Sequence, residues 1–191
     1  MSSQGPILLP PPWTHCGEGA SPQNQFGCTG ASVYNHTECL AHLSNADRNS
    51  YLAGLAPGSD VDHRGTAFSE PLFKSLLDAL RDPETSQPRI GKGRFDSATF
   101  EGIIDFESAT FDDAADFNST VFHEYASFNS VTFNSSAWFA LATLRDARFD
   151  SATMRGRTSF SEATFQGDAV FSSATFEEGV SFERATFSGD A

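Results

Sequence analysis

Lysine stops at Lys92, cysteine stops at Cys39, and beyond residue 94 there is one histidine, His123. The second half of the chain therefore has no thiol nucleophile and no amine for a Schiff base. It also lacks any pair of histidines for proton transfer. No Ser/His/Asp set, G-x-S-x-G elbow or phosphate loop is present, and Gly91-Lys92-Gly93 is too short to cradle a phosphate. No apolar run reaches the length of a membrane-spanning helix. Residues 1–12 have no basic start; Ile7 to Leu9 followed by Pro10 to Pro12 reads as a disordered, extended lead-in rather than a signal peptide. Three cysteines, Cys16, Cys28 and Cys39, cannot make a disulfide framework. These absences predict a cytoplasmic protein that is not an enzyme.

Positive charge is also scarce. Residues 95–191 hold 16 acidic and 5 basic side chains, so −11 of the total formal charge of −13 lies there. Such a surface repels nucleic acid and membranes and attracts basic protein partners, or serves only to keep a sheet protein soluble. Four of the five basic residues, Arg145, Arg148, Arg155 and Arg157, cluster with Trp138 just before them. This is either a mixed-charge binding patch or a set of solvated arginines.

Phenylalanine is abundant instead. Of 19 Phe, 16 lie between 95 and 187. From Phe95 the chain reads FDSATFEGIID, FESATFDDAAD, FNSTVFHEYAS and onward with a period of 11, in alternating steps of five and six. Eighteen large apolar centres result, 16 of them Phe, with Leu144 and Met154 as the exceptions; two places earlier stands a small residue, Ala in 12 cases. A helix of this period would supercoil to the right, but Phe, Thr, Ser, Asp and Gly are mediocre to poor helix formers. The A-x-F spacing puts Ala and Phe on one side of a short strand and the intervening Thr outside. Pairs and triplets rich in Ser, Asn, Asp and Gly supply the turns. Stacked coils would bury columns of Phe and Ala, each Phe contributing about 1.5–3 kcal/mol. The step from Leu144 to Phe149 is one residue short and predicts a local irregularity.

Over residues 93–191 these units resemble the pentapeptide-repeat family. The resemblance implies a mainly β fold: a right-handed quadrilateral β-helix, here with about 22 residues per coil and about four and a half coils. It implies a non-catalytic protein-interaction scaffold. An alternative comes with it, because some members mimic DNA and bind DNA gyrase or topoisomerase, giving fluoroquinolone resistance. The charge density fits: about 22 Å of coils at roughly 4.8 Å each carry one charge per about 2 Å, against about 1.7 Å in B-DNA. The Phe centres, the arginines and the extra N-terminal module do not fit the mostly Leu-centred gyrase binders. Ice binding is a minor alternative, since Thr99, Thr110, Thr132, Thr143, Thr153, Thr164, Thr175 and Thr186 recur outside. The ninth repeat stops partway, which reads either as a piece of a longer protein or as an open end. Relatives often dimerise through C-terminal coils, so the resemblance implies a homodimer through Phe176, Phe182 and Phe187.

Residues 13–92 are not repetitive and predict a small, mostly helical module. Ser44 with Asp47 marks one helix start, and Ser69 a second, with Leu72, Phe73, Leu76, Leu77 and Leu80 on one face. That stripe predicts a cap over the open first coil. Cys16, Cys28, Cys39 and His42 are spaced C-x11-C-x10-C-x2-H, a Cys3His set suited to a structural zinc, with His15 as a possible substitute ligand. Three free thiols and a surface histidine remain the alternative.

Overall fold

The computed structural model describes residues 9–190, so most of the expected lead-in over 1–12 lies outside the described residues. The second half is a β-solenoid of short parallel strands. Gly93 pairs with Ala115 and Ala115 with Ala137, one coil every 22 residues. Each coil has four faces. In the first full coil these carry Gly93–Arg94, Thr99–Glu101, Ile104–Asp105 and Thr110–Phe111. In chain order these are faces one to four.

The turns explain the five- and six-residue steps. After faces one and three, the residue two places past each Phe takes a left-handed φ, as at Ser97 (56°), Ser108 (59°) and Ser130 (55°). A tight turn closes there, with the Ala98 N–H donating to the Phe95 carbonyl at 2.9 Å. The six-residue steps turn the other two corners with their extra residue. Where that residue is missing, the ladder between Val121–Ser127 and Thr143–Arg148 shifts register between Leu144 and Asp146, then resumes. The short step is absorbed as a bulge.

Inside, the coil rise sets the ring spacing. Phe95, Phe117, Phe139, Phe160 and Phe182 form one stack, with centroids 4.9–5.2 Å apart and planes within 15°. Phe106, Phe128, Phe149 and Phe171 form another at 4.7–4.9 Å. Neighbouring columns meet edge to face, as for Phe128 on Phe139 at 90°. Offset stacks and edge-to-face contacts are the arrangements the aromatic quadrupole favours.

The ladder begins upstream of Gly93. Val61–Asp62 pairs with Gly93–Arg94, and Ala67–Ser69 pairs with Thr99–Glu101. Residues 61–68 thus form the start of an earlier coil, with His63 where later coils have Phe. The N-terminal helices are α1 (Asn45–Ala53), capped by Ser44, and α2 (Glu70–Ala79), capped by Ser69. Helix α2 takes the place of a third-face strand. Its Phe73 packs on Phe68, Phe100 and Phe106 at 4.7–5.6 Å, and Leu76 and Leu80 are fully buried. An apolar helix face thereby covers the open end of the aromatic columns.

His63 is fully buried, with its Nε2 3.2 Å from the Tyr51 hydroxyl and its Nδ1 without a partner. Burial pulls its pKa down to about 4, against a small opposing pull from Asp62. The unfolded ring protonates near 6.5, so its contribution is intact above that pH and is lost as pH falls from 6.5 towards 4. The loss is about 3 kcal/mol. Asp96 acts oppositely in the same window, since burial and a hydrogen bond with Asp116 push it up to about 7. Comparing urea melts of wild type and His63→Phe at pH 7 and pH 4.5 isolates the histidine. The variant should lose markedly less stability on acidification, and equal losses would contradict the assignment.

Candidate metal centre and binding surfaces

Two local structures bring the Cys3His set together. Residues 15–18 run antiparallel to 28–31: the Cys16 N–H donates to Gly30, Gly17 to Cys28, and Cys28 to Glu18, at 2.8–2.9 Å. That places Cys16 and Cys28 side by side. Cys39 and His42 lie on one turn, with the His42 and Leu43 N–H groups on the Cys39 carbonyl at 2.9 and 3.0 Å. Arg48 of α1 pins this turn by donating to the Leu40, Ala41 and Leu43 carbonyls. Gly30 allows the close approach, because a Cβ there would lie 2.8 Å from the Cys39 Sγ.

All four ligand atoms lie within 4.8 Å of one another. The His42 Nδ1 is 3.4 Å from both Cys16 Sγ and Cys39 Sγ, and Cys28 Sγ is 3.7 Å from Cys39 Sγ. Tetrahedral bonds of about 2.3 Å to sulfur and about 2.0 Å to nitrogen give edges of about 3.8 Å between sulfurs and about 3.5 Å from sulfur to nitrogen. These three separations match those edges, and the other pairs lie within 4.8 Å. All three cysteines are free thiols. The hydrogen bond from Cys39, helped by the Gly30 N–H at 3.4 Å, draws Cys28 well below the ordinary thiol range. The same hydrogen bond and burial push Cys39 upward. One thiolate is thus already favoured, as metal ligation requires. His15 stays outside the cluster, bridging to Ala31 with its ring against Phe26. The four residues can hold a metal, and four protein ligands leave no open position for chemistry.

The solenoid surface differs from what linear proximity suggests. Trp138 stands on face one, next to Asp116 in the ladder. Arg155 and Arg157 occupy the corner leading to face one, while Arg148 lies on face three beside Ser127 and Val170. Arg145 begins the opposite corner, after Leu144. The structure therefore does not gather these five side chains into one patch. Arg155 reaches Asn134 at 2.7 Å and Arg148 pairs with Asp150 at 3.5 Å. The column that does form on face one is Asp62, Arg94, Asp116 and Trp138. Arg64 joins its edge, bonded to Asp62 at 2.7 Å and lying 4.9 Å over Trp13. Sequence reasoning missed this column; reading outward residues at intervals of 22 would have found Arg94, Asp116 and Trp138. The acidic residues also spread: Asp96, Glu101, Asp112 and Asp113 follow different faces of one coil. Outward threonines divide between faces two and four.

A family model described as pentapeptide repeats (9 copies) matches residues 95–143 and 149–191, and its gap falls on the bulge after Leu144. The chain belongs to the pentapeptide-repeat family. No curated protein and no solved structure matches it. In this pentapeptide-repeat protein the last described coil is open: Phe187 is 39% exposed, and Phe176 and Phe182 are partly exposed. No helix among the described residues is long and apolar enough to cross a membrane.

Proposed function

We propose that this pentapeptide-repeat protein is a non-catalytic, cytoplasmic protein-interaction scaffold whose N-terminal module is clipped by a structural zinc. The observation that carries the reading is the division of labour in the fold. The aromatic interior is buried, the four candidate metal-ligand atoms lie within 4.8 Å of one another, and most charged side chains stand on the outer faces of the solenoid. The spread of carboxylates over several corners favours a scaffold over a duplex mimic, which needs its charge along one face. Affinity capture with the immobilised protein from its native cell tests this. A discrete protein partner is the expected result; capture of DNA gyrase with inhibition of supercoiling would make the chain a DNA mimic instead, and no retained protein would remove the scaffold reading.

A second copy is also proposed as a partner, through the open coil at Phe176, Phe182 and Phe187. Light scattering at high concentration should give a dimer that Phe187→Asp converts to monomers. A wild-type monomer would remove this contact from the account.

A further inference from the structure

On face three the first full coil lacks a neighbour on one side. The strand Ile104–Asp105 pairs downstream with Ala126 and Ser127. Upstream, where the other three faces carry Val61–Asp62, Ala67–Ser69 and Arg89–Ile90, helix α2 stands instead of a strand. The Phe106 N–H points downstream, to the Ser127 carbonyl at 2.8 Å. Backbone direction alternates along a strand, so the Asp105 N–H and C=O point upstream, towards α2. Among the described residues no backbone group bonds to either. The next upstream-facing donor, the Glu107 N–H, is already satisfied by the Asp105 carboxylate at 2.8 Å. What remains is one unpaired N–H and C=O, the pairing unit of a two-residue strand.

Between this edge and α2 lies a cavity of about 510 Å³ with Phe73 and Leu77 in its wall. Ile103, 52% exposed, stands at its rim as one of the few large apolar side chains in the open. The charges have a definite sign. Lys74 and Arg81 are both taken by Asp78, at 2.6 and 3.0 Å. Glu70, Asp105 and Glu107 line the same cavity with no cationic partner among the described residues.

We infer that this groove takes an extended, basic segment of a partner protein as an added strand, paired to the upstream edge of Ile104–Asp105 in the space beside α2. The segment's backbone pairs with Asp105. Its apolar side chain covers Ile103, and its lysines or arginines meet Glu70 and Glu107. Backbone pairing gives the contact its geometry, and the side chains give it selectivity. The site rests on the scaffold reading and names one place where that scaffold binds.

The test uses the full chain and a fluorescent, end-capped peptide of alternating lysine and valine. Anisotropy should show saturable binding that weakens at least tenfold when glutamate replaces the lysines, or when the central backbone amides are methylated. Ile103→Lys and Glu107→Lys should each weaken it tenfold with Tm unchanged, and the largest amide shift in the NMR spectrum should be at Asp105. No binding, binding indifferent to these variants, or equal binding of the glutamate peptide would overturn the groove. The scaffold reading is judged separately: a captured partner retained equally by wild type and Ile103→Lys leaves it standing while the groove falls.

Discussion

Phe128→Ala should cost about 3–5 kcal/mol, the range for emptying a large buried aromatic site. Phe128 is fully buried and touches Phe106, Phe117, Phe122, Phe139 and Phe149, with centroids 4.7–5.8 Å away. Neighbouring coils fix the spacing of these rings through their hydrogen-bonded strands, so the surroundings have little freedom to collapse into the cavity. Phe187→Ala should cost far less, about 1 kcal/mol, because a partly exposed ring loses less buried area. Among the described aromatic rings, Phe187 stacks on Phe165 at 4.7 Å and otherwise meets only Phe182, at 5.9 Å. Urea denaturation of the two variants, each compared with wild type at a protein concentration low enough to keep every chain monomeric, gives both numbers. Equal losses would mean that the columns do not carry the stability of the solenoid.

The repeat was legible because its physics is local. Every coil needs a large apolar centre and a small residue two places earlier, and eighteen such centres in succession leave one solution. The earlier coil was hidden by two features. Val61, Thr66 and Phe68 fit the pattern, but the centre between them is His63, a polar residue at a position occupied elsewhere by Phe. Helix α2 then interrupts the period before Ile90 resumes it opposite Phe111. The four residues of the candidate metal site were readable as chemistry, although their spacing lacks paired knuckles. The antiparallel contact of 15–18 with 28–31, which closes the site, has no periodic signature. The arginines are spread for a geometric reason: in a coil of 22 residues, sequence neighbours fall on different faces, and neighbours in space are a full coil apart.

Removing the proposed zinc should have the other large effect. Structural zinc supplies on the order of 10 kcal/mol to the folding of small modules. Here the module holds α1 through Arg48 and leads into α2, the cap of the aromatic columns. Cys39→Ser, at a fully buried ligand, should lower Tm by roughly 10 °C or more, since several kcal/mol convert at about 2–4 °C each for a chain of this size. A chelator should produce a similar fall in wild type and little further change in the variant. The solenoid strands should outlast the module, so the circular dichroism of β structure should persist while helix signal is lost. A chelator without effect on wild type would remove the metal from the account.

Native mass spectrometry of the intact chain, purified without added metal, tests the central claim most directly. The account predicts one zinc per chain, with Cys16, Cys28 and Cys39 protected from alkylation until a chelator is added. A metal-free mass with three thiols that react at once in the folded protein would contradict it.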